Sequence, residues 1–169
     1  MFKQPAHHLR AWGRLLMIDS GILVLGFLAT MFAAWAGLVV GVAFLSTRAK
    51  FLAPSITLMV ALDVGRHTFR VLSRTDMVLA VAASILCVVR PNPMIVLGLA
   101  AVWCVIVTER FWLLPVLDFR AGIHLVGLIP TPSYHHALFA RLKIMKVLLL
   151  LICSAVALLR LAREIRGGL

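Results

Sequence analysis

The residues of this sequence that could do chemistry are charged side chains inside or beside long apolar segments. Asp63 and His67 lie four residues apart, which is one helical turn, and together they could face a cavity and bind a polar ligand. Alternatively, they belong to the polar face of an amphipathic helix that also carries Arg66, Arg70 and Arg74. Both interpretations remain open from the sequence.

Two further carboxylates lie next to apolar segments. Asp76 falls near the membrane boundary of a segment that begins around Val71, or else caps a helix start together with Thr75. Glu109 ends an uncharged run and could meet Lys143 or Lys146, which reach the membrane from the same side. Because helices in a membrane hide such charges by pairing them, these contacts favour a structural role.

Asp118 and Arg120 follow Pro115 and could fix a turn there by a charge-assisted bond. The sequence contains no nucleophile–base pair, phosphate-binding loop or metal-ligand spacing, so we assign no catalytic residue, metal ligand or cofactor. The candidate binding residues are Asp63, Arg66, His67, Asp76, Glu109, Asp118, Arg120 and Lys146.

The composition is typical of an integral membrane protein. The chain has 169 residues, of which 63% are hydrophobic and 14% charged, with a mean hydropathy of +1.06. Its net charge of +11 comes from basic residues outside the apolar runs. We therefore expect contact with anionic lipid headgroups and not with nucleic acid. The three cysteines all lie in apolar runs and are interpreted as small hydrophobes.

The apolar runs predict an all-α membrane protein, with four transmembrane helices in one bundle forming a single domain over 1–169. We place the spans at about 21–46, 71–90, 94–114 and 142–162. The segment Arg90-Pro91-Asn92-Pro93 predicts a tight turn between the second and third spans. An amphipathic interfacial helix at about 55–70 separates the first two, with Ser55 as its candidate cap. Ser133 is the candidate cap of the last helix.

Residues 94–120 organise the chain, since the other spans are expected to pack beside this one. We expect its helix to reach the interface at residues 109–112 and to stop at Pro115, which cannot continue the hydrogen-bond ladder. In the first span, Ala33, Gly37 and Gly41 form a strip of small residues at every fourth position. Such a strip predicts close helix packing in lipid, so that Gly37→Leu should weaken stability or assembly. Trp35 lies on a different face of this span and is interpreted as filling the bundle and not as marking a site.

The even number of spans places both termini on one side. That side carries seven Lys and Arg, and the other carries ten, which tilts the loops at 47–70 and 115–141 toward the cytoplasm. The expected location is the bacterial inner membrane.

Several short motifs resemble a family of bacterial membrane proteins. They are AFL at 43–45, KFLAPS at 50–55, VALDVGR at 60–66 and LLPVLDFR at 113–120, followed by Ser133, His136 and Lys146. The chain resembles the domain of unknown function 4149 group, which is similar to eukaryotic transmembrane protein 205. RHTF at 66–69 and REIR at 163–166 also look like the eukaryotic protein.

The resemblance implies a four-helix membrane bundle and little about activity. In the bacterial pattern an acidic residue stands at the position of Lys143. More remotely, the architecture looks like that of copper resistance D proteins and a haem-binding protoporphyrinogen oxidase family. Those relatives carry a His in the first span, whereas this chain has none between residues 21 and 46.

Three functions follow as hypotheses. The favoured one is a non-enzymatic membrane protein that acts through helix or lipid contacts, as an accessory subunit or a homo-oligomer. A haem- or metal-binding redox protein would use His67, His124 and His136. A small-solute transport or export helper would use the carboxylates Asp63, Asp76 and Glu109.

Overall fold

The protein is all-helical in the part that a computed structural model describes, which is residues 6–125 and 134–167. Side chains are described for residues 21–123 and 134–167. The elements are α1 (Ala6–Val40), a π-helical turn (Gly41–Leu45), α2 (Ser46–Leu52), α3 (Leu58–Val89), α4 (Pro93–Thr108), a second π-helical turn (Glu109–Leu113), α5 (Leu114–Leu125) and α6 (His135–Gly167). No strand occurs in these ranges.

Four of the described helices are long and apolar enough to cross a membrane. They are Gly21–Leu52, Leu58–Val89, Pro93–Ile123 and His135–Gly167, each between 31 and 33 residues long. About 20 residues suffice to cross the hydrocarbon core, so every helix is longer than it needs to be. The prediction of four membrane-spanning helices is confirmed in this sense of length and composition.

The second long helix differs from the expected division into an interfacial helix at 55–70 and a span at 71–90. In the structure both segments belong to the single helix α3, because residues 58–89 contain no proline and only one glycine, Gly65. The helix begins after Thr57, whose hydroxyl accepts a bond from the Val60 N–H, and Ser55 lies outside it. Ser133, the cap predicted for α6, lies outside the described residues, as does the His124 side chain.

The prediction that the third helix stops at Pro115 is wrong. The helix continues through Pro115 to Leu125, and a π-helical turn immediately precedes the proline. In this turn the Leu114 N–H donates to the carbonyl of Glu109, five residues back. The wider turn accommodates a residue that lacks an N–H and whose ring would otherwise press on the carbonyl four residues earlier.

One end of the molecule gathers Gly21, Arg90 and Glu164, and we call it the Arg90 end. Arg90 follows α3 and donates to Glu164 of α6 at 2.8 Å, while its guanidinium lies against Gly21 of α1. The next helix begins at once, because Asn92 caps the N–H groups of Met94 and Ile95 and Pro93 occupies the first helical position. The tight turn predicted at residues 90–93 is confirmed.

The core lies between α1, α3, α4 and α6, with α1 packing mainly on α6. Phe32 and Trp35 are its largest fully buried side chains. Ser154 of α6 donates to the carbonyl of Ala29 at 2.9 Å, which fixes the register of α6 on α1. The helices α4 and α6 pack tightly at Gly98, where an added Cβ would lie 2.5 Å from Cys153 Sγ.

The small-residue strip of the first helix does not pack inside the chain. Ala33 and Gly37 are exposed, and an added Cβ at Gly37 or Gly41 would meet nothing within 4 Å. The expectation of lower stability for Gly37→Leu is therefore wrong for the single chain. The buried face of α1 carries Phe32 and Trp35 together with smaller residues such as Ala29 and Ala36. Within the core, Gly98 of α4 is a glycine at which an added side chain would collide with a neighbouring helix.

We expect Gly98→Leu to lower the free energy of unfolding by about 1–3 kcal/mol, because it overpacks the contact with Cys153. Thermal unfolding of the detergent-solubilised monomer measures this effect. Gly37→Leu is the matched control and should unfold like the parent. Equal losses in both variants would contradict the assigned packing of α4 on α6.

Candidate functional site

Four charged side chains meet in the interior, and we call them the charge quartet: Asp76, Glu109, Lys143 and Lys146. Their exposed fractions are 1%, 3%, 2% and 0%. Lys146 Nζ lies 2.6 Å from Asp76 Oδ2 and 2.6 Å from Glu109 Oε2. Lys143 Nζ lies 3.0 Å from Glu109 Oε2 and 3.5 Å from Asp76 Oδ2. The prediction that Glu109 meets these lysines is confirmed.

Each member comes from a position that the helices determine. Asp76 lies in the middle of α3, so the proposed cap at Thr75 and Asp76 is wrong; the Thr75 hydroxyl bonds back to the Val71 carbonyl instead. Lys143 and Lys146 are three residues apart on α6 and share a face. Glu109 begins the π-helical turn before Pro115, and such turns are frequent at functional sites.

Trp35 supplies a fifth contact from α1. Its indole Nε1 donates to Asp76 Oδ1 at 2.7 Å, and its side chain is 1% exposed. We interpreted Trp35 as packing alone, and that interpretation missed its bond to the quartet. The bond could have been anticipated, because a buried indole N–H needs a hydrogen-bond acceptor and the uncharged first span contains few acceptors of its own.

The quartet lies deep in the membrane-spanning length. Asp76 is about 21 Å along α3 from Arg90, at 1.5 Å per residue. A hydrocarbon core is about 30 Å thick, so charges at this depth need partners. With two carboxylates and two ammonium groups, the quartet is electrically neutral.

Another ion-pair group joins α3 and α5 at the end of the molecule opposite Arg90. Asp118 of α5 accepts from Arg70 at 2.7 Å, and Arg66 lies 3.7 Å away, so α3 and α5 are joined there. We call this the Asp118 end. Both arginines come from α3, and the predicted pair between Asp118 and Arg120 stays a prediction.

Asp63 and His67 are not part of the quartet. They lie 3.7 Å apart on the surface, with side chains 51% and 65% exposed. The amphipathic interpretation of this pair fits the structure better. In the described residues no three His, Cys, Asp or Glu side chains form a group that could hold a metal ion.

A partly open cavity of about 190 Å³ adjoins the quartet. Its polar lining is Thr47, Arg48, His136 and Lys143, so Lys143 belongs to both the cavity and the quartet. The apolar lining is Ala43, Phe44, Phe69, Phe139 and Ala140. The first π-helical turn contributes part of this wall, so both π-helical turns of the described chain lie at the site. Nothing in the sequence predicted the cavity.

Two buried oxygens at the site have no hydrogen-bond partner among the described residues. They are the Thr47 hydroxyl, on the cavity residue next to Arg48, and Glu109 Oε1, whose sister oxygen accepts from both lysines. A buried carboxylate oxygen without a donor is a place where a proton can be held. The site therefore has cationic side chains that could bind an anion and a carboxylate, Glu109, that could bind a proton.

No protein-family model, curated protein or solved structure matches the chain. The function therefore rests on the geometry of the quartet and the cavity.

We expect Lys146→Met to lower the free energy of unfolding by about 3–5 kcal/mol, because it leaves a buried carboxylate without its cation. The double variant Lys146→Met/Asp76→Asn removes one charge of each sign and should recover much of the loss. Chemical unfolding of the parent, both single variants and the double variant measures this coupling.

Asp63→Asn is the control, since it removes a carboxylate that is half exposed and should change stability by no more than about 0.5 kcal/mol. If the two single losses simply add in the double variant, the quartet is not one interacting unit.

Proposed function

We propose that this chain is an integral membrane protein that acts through lipid and helix contacts, and that it binds one anionic lipid in the cavity beside the charge quartet. The observation that carries the proposal is the cavity itself, which combines cationic side chains with an aromatic wall. In this function the protein serves as an accessory component of a membrane assembly and catalyses no reaction of its own.

The charges of the cavity favour an anion. Two cations line the cavity: Arg48, which is exposed to solvent, and Lys143, which is buried. Among the described residues no carboxylate lines the cavity, and both strong charges in its lining are positive. Lys143 is held less tightly than Lys146: its ammonium lies 3.0 Å from Glu109 and 3.5 Å from Asp76, whereas Lys146 lies 2.6 Å from both.

The size and lining of the cavity favour a lipid over a free anion. Drug-sized ligands occupy pockets of about 300–1,000 Å³, so a cavity of about 190 Å³ holds only part of such a molecule. The rest of the ligand must lie against the exposed apolar surface of the helices. Phe44, Phe69 and Phe139 offer contacts to a hydrocarbon chain that an inorganic phosphate would not use.

We expect the purified protein to bind phosphatidylglycerol in preference to phosphatidylcholine, and Arg48→Gln to weaken that binding about tenfold. A hydrogen bond to a charged group contributes about 1.5–3 kcal/mol, and 1.4 kcal/mol corresponds to tenfold in affinity. Native mass spectrometry with defined lipid mixtures measures both quantities.

Arg74→Gln is the matched control, because Arg74 is an exposed arginine of α3 outside the cavity lining. It removes the same charge and should leave the lipid preference intact. Equal weakening by both substitutions would mean that the preference reflects net charge and not the cavity.

The helix-contact part of the proposal is supported by the exposed strip at Ala33 and Gly37, which leaves a smooth surface on a membrane-spanning helix. Small residues let helices approach closely in lipid. A membrane-protein partner or a second copy of the chain would fit there. In that case Gly37→Leu would reduce assembly in the bilayer, measured by energy transfer between labelled chains, without changing the stability of the monomer.

A second candidate function is a small-solute transport or export helper. The observation that favours it is the quartet, since ionisable groups within a span often mark a path for ions or protons. A flux assay in vesicles compares the parent with Asp76→Asn. Equal fluxes in the two proteins would remove this candidate.

We also propose that the chain belongs with the 4149 family and that it resides in the bacterial inner membrane, with both termini on one side. The quoted motifs support the first statement. The contacts among Gly21, Arg90 and Glu164 support the common side. Since Lys143 and Lys146 are buried, only eight of the ten loop-side cations can face a headgroup, against seven on the other side. Topology reporters on the loops at 47–70 and 115–141 are therefore needed to test their cytoplasmic location.

A further inference from the structure

The charge balance of the quartet has a consequence for any anion that binds beside it. Asp76 and Glu109 offset Lys143 and Lys146, so the unliganded quartet carries no net charge. Arg48, the other cation of the cavity, is exposed to solvent and does not enter this buried charge balance. When Lys143 pairs with an anion, the two buried carboxylates keep only Lys146 between them, and an uncompensated charge is unfavourable in such a place.

Lys143 must also turn away from the quartet to reach a ligand. Its side chain is only 3% exposed, and its ammonium lies over the Phe139 ring at 5.0 Å from the centroid. Turning into the cavity breaks its bond to Glu109 at 3.0 Å. Glu109 then keeps a single cation, Lys146, which Asp76 shares.

We propose that anionic lipid binding in the cavity is coupled to the uptake of one proton by Glu109. This inference rests on the proposed lipid site. The Lys143–Glu109 ion pair breaks, an ion pair between Lys143 and the lipid phosphodiester forms, and a proton from water is transferred to Glu109. The net charge of quartet plus ligand is then zero, as it was before binding.

Glu109 is the acceptor because it has the oxygen to hold the proton. Its Oε1 is buried and has no partner, whereas Asp76 Oδ1 accepts from Trp35 and Asp76 Oδ2 from Lys146. Lys143 is also closer to Glu109 than to Asp76, so its departure affects Glu109 more. A protonated Glu109 can still accept from Lys146 through Oε2.

The other charged groups around the site do not meet these conditions. Arg48 lines the cavity and stays charged at any working pH, and Arg66 and Arg70 are held by Asp118. His136 is the remaining titratable group of the cavity lining, and it needs a control of its own.

The test is titration calorimetry of the full-length detergent-solubilised protein with short-chain phosphatidylglycerol, whose phosphodiester does not titrate near neutral pH. Runs in two buffers of different ionisation enthalpy give the number of protons taken up on binding. We expect about one proton, and an affinity that falls by up to tenfold per unit of rising pH. Short-chain phosphatidylcholine is the control ligand and should take up no proton.

Glu109→Gln carries the neutral form permanently. It should bind phosphatidylglycerol more tightly than the parent at neutral pH, with a proton number near zero and no dependence on pH. His136→Gln is the matched control and should keep both the proton number and the pH dependence.

The outcomes separate this inference from the proposed lipid site. Phosphatidylglycerol binding without proton uptake in the parent overturns the coupling and leaves the lipid site standing. Proton uptake that survives in Glu109→Gln but disappears in His136→Gln overturns the assignment to Glu109. Equal binding of both lipids overturns the lipid site and the coupling with it.

A measurement on the unmodified protein covers the case in which Glu109→Gln does not fold. Infrared difference spectra, recorded as phosphatidylglycerol is added, should show a protonated carboxyl band appear. The absence of that band at saturating lipid would overturn the coupling.

Discussion

The fold depends on the pairing of the four quartet charges, which are buried where water cannot solvate them. Lys146 lies 2.6 Å from a carboxylate oxygen of both Asp76 and Glu109, and it is fully buried. Each of these charges alone would oppose insertion into the bilayer, so the helices that carry them must meet. Because the four side chains come from α3, α6 and the turn after α4, and Trp35 adds α1, one cluster joins all four long helices.

The two departures from regular α-helix both lie beside these charges. The π-helical turn at Glu109–Leu113 lets the third long helix pass Pro115, and its first residue is a quartet member. The turn at Gly41–Leu45 forms part of the cavity wall next to Lys143. Both irregular turns thus lie where the charged interior meets the cavity, and the regular helices around them serve to hold it in place.

The sequence predicted what depends on composition and local order. Four apolar helices, the tight turn at residues 90–93 and the meeting of Glu109 with Lys143 and Lys146 all follow from run lengths and from which residues share an end of the membrane. It failed where three-dimensional packing decides. No local signal distinguishes the Pro115 that a π-helical turn accommodates from one that ends a helix. Nor does spacing distinguish Gly37, which packs on nothing in the chain, from Gly98, which packs on Cys153.

A neutral quartet requires that Glu109 is ionised and lies in direct contact with buried lysines. Solid-state NMR of the unliganded protein in a bilayer tests it, because the chain has only four lysines and two glutamates to label. With ¹⁵N at Lys Nζ and ¹³C at Glu Cδ, we predict strong dipolar coupling to an ionised carboxylate, and its loss in Glu109→Gln. Absence of that coupling, or a protonated Glu109 in the lipid-free protein, would contradict the account.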